Sequence, residues 1–255
     1  MFSEIALENG HGFSFGGEYS KDYRVIVLKS SIPVLSSTSH RLETLGGRGV
    51  YYARSSKSEG VIPLSCSLLV KGETAQREYA EMLSAWLNPL KGLQDLVLDT
   101  RPDRKYVAIC DGTFDIKKAA TVGLFNLSFI CPTPIGYSLS EETVVSSNNV
   151  IEGLNNGSAE TPLTIKYVFS GAASSFKITE QSTGDFIEVT HAFKSGDVLE
   201  LDTGVGKVQV NGIVRMDLLS FVSDWFDLPP GNFRLAVDSG ASGTLEIRFV
   251  EGWWL

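Results

Sequence analysis

The chain of 255 residues is 43% hydrophobic, 20% charged and 10% aromatic, enough apolar material for one large or two ordinary cores and too much for a disordered chain. No apolar run reaches the ~18 residues needed to cross a bilayer, and Met1–Gly17 has neither a basic nor an apolar leader segment; the expectation is a soluble chain with no signal peptide and no membrane contact. The net charge of −8 argues against a broad nucleic-acid-binding face, which carries a basic footprint.

Most of the chain has the period-two rhythm of half-buried antiparallel strands. Residues 22–30 (DYRVIVLKS) form an apolar, β-branched run. In 61–70 the side chains of Ile62, Leu64, Cys66, Leu68 and Val70 share one face, with Ser65 and Ser67 opposite. One segment breaks the rhythm. Residues 74–87 put Ala75, Tyr79, Met82, Leu83, Trp86 and Leu87 on one face of a helix, predicted over 74–88. Thr74 is its expected cap, Pro89 and Gly92 its stop, and Trp86 is expected in the core. Short strands follow at 94–99 and 105–110. In 122–131 the face is Phe125, Leu127, Phe129 and Cys131.

Pro132 and Pro134 then interrupt the pattern and predict a domain boundary. The charge shifts there too. Residues 1–133 hold 15 Lys+Arg against 14 Asp+Glu, and residues 134–255 hold 7 against 16. The expectation is therefore two domains, 1–133 and 134–255. The near-neutral front half can pack against copies of itself without strong repulsion. The back half reads as all strand and turn, with Leu163, Ile165, Tyr167 and Phe169 on one face. Further strands are expected at 175–181, 185–191, 197–202, 207–210, 213–217 and 244–250. Asn211-Gly212 signals a type I′ hairpin. Turn signals every 8–12 residues describe a β-sandwich.

Residues with chemical potential do not converge. Cys66, Cys110 and Cys131 are odd in number and lack CxxC spacing, so neither a disulfide framework nor a zinc site is indicated. His11, His40 and His191 lie far apart, without metal-ligand spacing. Asp202-Thr203-Gly204 matches the aspartic-protease tripeptide, but Asp and Gly at a hairpin tip are accounted for by turn chemistry alone. The glycines at 46–49 lack the Lys-Ser/Thr of a phosphate loop. The reading is a binding or building-block protein, not an enzyme, with no cofactor.

Several segments in order resemble one family. The front half has Phe13–Gly17, Tyr19–Tyr23 and the glycine-rich Leu45–Tyr52. Arg77–Leu87, Arg101-Pro102-Asp103 and Leu124–Cys131 follow before the prolines. The back half has Asn211-Gly212, then Asp224–Asn232, then a glycine-rich turn and a last strand. This order is similar to that of siphophage distal tail proteins. The resemblance implies a mainly β fold. An N-terminal antiparallel β-sandwich with one helix is followed by a C-terminal galectin-like β-sandwich. It implies a structural virion protein at the tail tip, assembled in the host cytoplasm. Its homohexameric ring would join the tail tube protein to a tail-tip hub protein of the tail-associated lysin type. Receptor-binding proteins would be peripheral partners, and DNA would pass through the channel without specific binding.

Within that picture, residues 30–59 read as a long polar segment with weak strand signal, expected to be an extended hairpin or arm embracing the neighbouring subunit, with an ordinary surface loop as the alternative. Arg41, Arg48, Tyr51 and Tyr52 are its candidate interface anchors, since Tyr and Arg favour interfaces. The alternative reading is a lectin-like carbohydrate-binding module for host adsorption, resting on Trp225, Phe226, Trp253 and Trp254. Galectin-type sugar sites combine a Trp with His, Asn and Arg, and that set has no counterpart here; packing is the expected role of these aromatics.

Overall fold

The computed structural model describes residues 2–33, 38–44, 49–111, 117–118, 123–240 and 242–255. The chain divides into two compact units, Met1–Tyr137 with Trp254–Leu255, and Ser138–Trp253. Both are built mainly from antiparallel strands.

The first unit opens with helix α1 (Phe2–Asn9), followed by β1 (Phe13–Phe15), β2 (Glu18–Tyr19) and β3 (Val25–Ser30). Then come β4 (Thr38–Thr44), β5 (Val50–Lys57), β6 (Gly60–Leu68) and helix α2 (Glu73–Trp86). β7 (Gln94–Leu98), β8 (Arg101–Asp111), β9 (Lys117–Lys118) and β10 (Gly123–Cys131) complete it, and β11 (Ile135–Ser138) leads out. The main sheet runs β2-β1-β7-β8-β10-β6-β3. Val27 of β3 donates its N–H to the His11 carbonyl (2.8 Å), just before β1, so the path curls back on itself.

The core follows the period-two pattern. In β6, Ile62, Leu64, Cys66 and Leu68 are buried; they face Phe129, Leu127, Phe125 and Gly123 of β10 in register. Pro63 sits in this strand where its ladder with β3 runs out. Its carbonyl accepts from Ser31 N–H (3.2 Å), so its missing donor points to the same side, where β3 has already ended at Ser30.

Helix α2 covers this core. It starts at Glu73, with Gly72 at the cap and no side-chain cap, so Thr74 lies inside the helix rather than capping it. Gln76 does the tying instead: its side-chain amide donates to the Val70 carbonyl (2.9 Å) and is buried. Gln76, Leu83 and Leu87 thus mark the centre of the buried face. Met82 falls on its rim and stays exposed. Trp86 is stacked between Tyr23 (4.5 Å, 6°) and Phe13 (5.3 Å, 13°), and its indole N–H donates to the Phe15 carbonyl (2.9 Å). The short helix α1 carries no strong amphipathic pattern and is not visible in the sequence reading; Glu4 ties it to Arg24 (3.0 Å). Leu255 also belongs to this core. It is 2% exposed, and its N–H donates to the Pro134 carbonyl (2.9 Å).

The second unit contains β12 (Glu142–Ser146), β13 (Val150–Asn155), β14 (Leu163–Phe169), β15 (Ala173–Glu180), β16 (Phe186–Phe193) and β17 (Val198–Asp202). It continues with β18 (Lys207–Val210), β19 (Ile213–Val214), β20 (Gly231–Asp238) and β21 (Gly243–Phe249); β22 (Gly252–Trp254) ends the chain's strands. One sheet runs β12-β21-β14-β17-β18-β19 and the other β13-β20-β15-β16. Their inward faces form a single core, with Ile165, Tyr167 and Ile247 from the first sheet and Phe176, Ile178 and Leu235 from the second. Asn211 and Gly212 have φ of 50° and 78° at the β18–β19 turn, the pair of positive values that a type I′ hairpin needs.

Candidate functional site

The hairpin of β4 and β5 stands apart from every other strand pair. The two strands pair with each other and, among the described residues, with no other strand. An isolated two-stranded hairpin is marginal in water. The described side chains of β4 and β5 are exposed, including Leu42 (59%), Tyr51 (58%) and Tyr52 (55%).

The register sorts these side chains into two faces. Thr38↔Lys57, His40↔Ser55 and Leu42↔Tyr52 lie on one side, and Ser39↔Ser56, Arg41↔Arg54 and Glu43↔Tyr51 on the other. A bulge beside Arg41 and Leu42 keeps Tyr52 on the same side as Ser55. The Tyr52 hydroxyl donates to Ser55 Oγ (2.7 Å), and the His40 and Tyr52 rings lie 6.4 Å apart. On the opposite face Arg41 pairs with Glu43 (2.9 Å). The structure therefore separates the sequence candidates. Arg41 and Tyr51 share one face, Tyr52 lies on the other with Leu42 and His40, and Arg48 lies outside the described residues. Leu42, Tyr52's cross-strand partner, was not a candidate; it sits in a polar segment, and only the register reveals the pair.

The hairpin is held at its base. Lys57 Nζ lies over the Trp254 ring, 2.7 Å from its centroid, and burial lowers the lysine's pKa. Gly60, which opens β6, packs close to Leu255 and Pro134.

Other motifs resolve into structure. Asp202 Oδ1 accepts from the N–H groups of Gly204 (3.0 Å) and Val205 (3.3 Å), which is an Asx turn between β17 and β18. Thr203 Oγ accepts from Leu163 N–H (2.9 Å) and is buried. Phe226 is buried in the second core, and Trp225 packs on it with its ring 3.7 Å from where a Gly206 Cβ would stand. The three cysteines are core thiols, and burial pushes Cys66 and Cys131 up to about 12 and Cys110 to about 11. Thiols so shifted are not nucleophiles at neutral pH. An open depression of ≈ 640 Å³ crosses β13, β20 and the end of β15. Glu152 and Arg234 pair across it (3.2 Å), and its one aromatic, Phe233, is 3% exposed. No helix among the described residues is long and apolar enough to cross a membrane.

Comparison with known proteins covers both units. Residues 20–131 match the model of the phage tail protein RIFT-related domain, and residues 156–253 match that of the siphovirus-type tail component, C-terminal domain. The distal tail protein of Bacillus phage SPP1 is 32% identical over 108 residues, 41% of this chain and 42% of that protein. The match thus spans under half of that relative's length. The crystal structure of the SPP1 Dit protein, described as a paradigm of the hub adsorption apparatus in phages infecting Gram-positive bacteria, superposes with a TM-score of 0.80. It is 22% identical, and the superposition covers 95% of this chain and 98% of that one, so the fold is shared. The phage P2 baseplate in its activated conformation with Ca gives a TM-score of 0.46 at 8% identity, over 94% of this chain and 98% of that one.

Proposed function

We propose, for a chain that belongs to the siphophage distal tail protein family, that it is a structural hub which closes into a ring of six copies at the distal end of the tail. The ring joins the tail tube protein on one side to the tail-tip hub on the other, and DNA passes through without sequence-specific contact. The N-terminal module makes the ring. The galectin-like C-terminal module serves peripheral components such as receptor-binding proteins. We assign the module limits as 1–133 and 134–255, with Trp254 and Leu255 returning to the first unit.

The observation that carries this reading is the free-standing β4–β5 hairpin. It presents Leu42, Tyr51 and Tyr52 to solvent, and exposed apolar groups gathered on one projection mark an interaction surface. A ring needs a heterologous contact repeated around an axis, and an arm reaching to the next copy supplies one. The near-neutral charge of residues 1–133, which hold 15 Lys+Arg against 14 Asp+Glu, permits self-packing. The function needs no bond-making step, and the protease-like tripeptide is accounted for by its turn.

Native mass spectrometry of the purified protein tests the proposal, with negative-stain imaging beside it. The expected result is a discrete assembly near six times 27.7 kDa with annular particles. A monomer at every concentration and salt, even beside tube and tip components, overturns it.

A further inference from the structure

We infer that the turn carrying Phe221 and Val222 in the second unit is a docking knob, and that it seats in an apolar, basic-rimmed pocket of a different virion protein. The inference rests on the reading of the C-terminal module as the one that serves peripheral components, and adds which part of that module makes the contact and what chemistry receives it.

Residues 220–223 form a β-turn closed by Ser223 N–H on the Ser220 carbonyl (3.1 Å). The central pair of such a turn is ordinarily Gly, Pro, Asn, Asp or Ser, each for a backbone reason. Here it is Phe221, which is fully exposed, and Val222, which is 64% exposed. The flanking residues show that the segment does not lack a core to enter. Leu218, Leu219 and Trp225 pack against the second core, and Phe226 is buried in it. Only the pair at the tip is turned outward. Ile213, Val214 and Met216, just upstream, are exposed as well, so the apolar surface is not one stray side chain.

The tip is held rigidly. Ser220 N–H donates to the Glu188 carbonyl (2.9 Å), Ser223 Oγ accepts from Glu188 N–H (2.9 Å), and Asp224 N–H donates to the Phe186 carbonyl (2.9 Å). Leu219 bridges Val189 on the same strand, β16. The backbone of 219–224 thus has a folding role, which is to pair with β16, but the side chains of Phe221 and Val222 contribute nothing to it. A knob fixed in advance loses little conformational entropy on docking, and exposed aromatics of this kind are enriched in protein contacts.

Charge selects the occupant. Between Lys207 and Arg234 the chain has one basic residue, Arg215, against Asp217, Asp224 and Asp227. Arg215 is already held by Asp217 through two hydrogen bonds (2.9 and 2.8 Å). The surroundings of the knob are therefore acidic, as is the whole half, with 7 Lys+Arg against 16 Asp+Glu. A second acidic module and an anionic lipid surface are both repelled, whereas a pocket with a Lys or Arg rim is attracted.

Photocrosslinking on assembled phage particles tests this. The full chain carries p-benzoylphenylalanine at position 221 or, as a control on the opposite edge strand β12, at position 145. The expected result at 221 is a crosslink to a virion protein other than this chain, at a peptide that combines apolar residues with Lys or Arg. Phe221→Ser and Val222→Ser are expected to lower the particle content of that protein by at least about tenfold, and Asp224→Lys to lower it more than Asp224→Asn. Circular dichroism and native mass of the purified variants should stay as in wild type, which separates lost docking from lost folding or ring closure. A crosslink to another copy of this chain overturns the inference. So does flotation of the wild-type chain with phosphatidylglycerol vesicles that Phe221→Ser abolishes, since the knob would then be a lipid anchor. If position 145 captures a peripheral protein and position 221 captures none, the knob assignment is wrong and the reading of the module stands. If neither position captures one, both fall.

Discussion

Two groups of aromatic side chains in the N-terminal unit have opposite fates. Trp86 is 2% exposed, stacked between Phe13 and Tyr23, and has its indole N–H satisfied by a backbone carbonyl. Tyr51 and Tyr52 are more than half exposed on a hairpin that, among the described residues, pairs with no strand of the main core. The first group holds the monomer together. The second is in water in the single chain, and under the proposed ring its contacts are made with the next copy. That proposal makes folding and assembly separable by substitution.

The largest expected effect comes from the buried set. Trp86→Ala removes the middle ring of a three-ring stack and leaves the Phe15 carbonyl without its donor. The expected loss is about 3–5 kcal/mol of N-terminal-unit stability, read as an earlier first transition in urea unfolding followed by circular dichroism. A loss under about 1 kcal/mol would mean that the stack is not a structural centre and would break the comparison.

A milder change sharpens it in the other unit. Tyr167 is fully buried, its hydroxyl donates to Asn149 Oδ1 (2.7 Å), and it occupies space left open by Gly243 across the β14–β21 pair. A Cβ at position 243 would come within 2.6 Å of the tyrosine hydroxyl oxygen. Gly243→Ala therefore forces a buried ring to move, with an expected cost of about 1–3 kcal/mol. Unchanged stability would show that this ring tolerates displacement, unlike a close-packed core aromatic.

The buried set was legible in the sequence and the exposed set only in part, for a physical reason. Burial on one face writes a period into the chain: two in β6, β10 and β14, and about 3.6 in α2. The faces Ile62–Leu68, Phe125–Cys131 and Leu163–Phe169 therefore read directly. Met82 misled because amphipathic spacing fixes a face only to within one position, and Gln76, a polar residue with a backbone partner, occupies the centre. β20 escaped notice although Phe233, Leu235 and Val237 alternate, because Pro229-Pro230-Gly231 dominates the local pattern with turn signals. The described side chains of the hairpin β4–β5 are all exposed, so no period is imposed. Its composition suggested an arm, but the pairing of Leu42 with Tyr52, across a bulge, exists only in the register.

The smallest expected effect on stability is the most informative. Tyr51→Ala and Tyr52→Ala each truncate a side chain that is already more than half in water. Exposed positions away from caps and networks usually shift stability by less than about 0.5 kcal/mol, and Tyr52 loses one hydroxyl contact to Ser55 as well. Urea midpoints for both variants should therefore match wild type. If the exposed rings exist for assembly, Tyr52→Ala dissociates the ring at concentrations where wild type holds, without any change in the monomer's unfolding curve. A fall in unfolding stability comparable to that of Trp86→Ala would mean that the hairpin aromatics belong to the monomer's own core, and the separation between folding and assembly residues would fail.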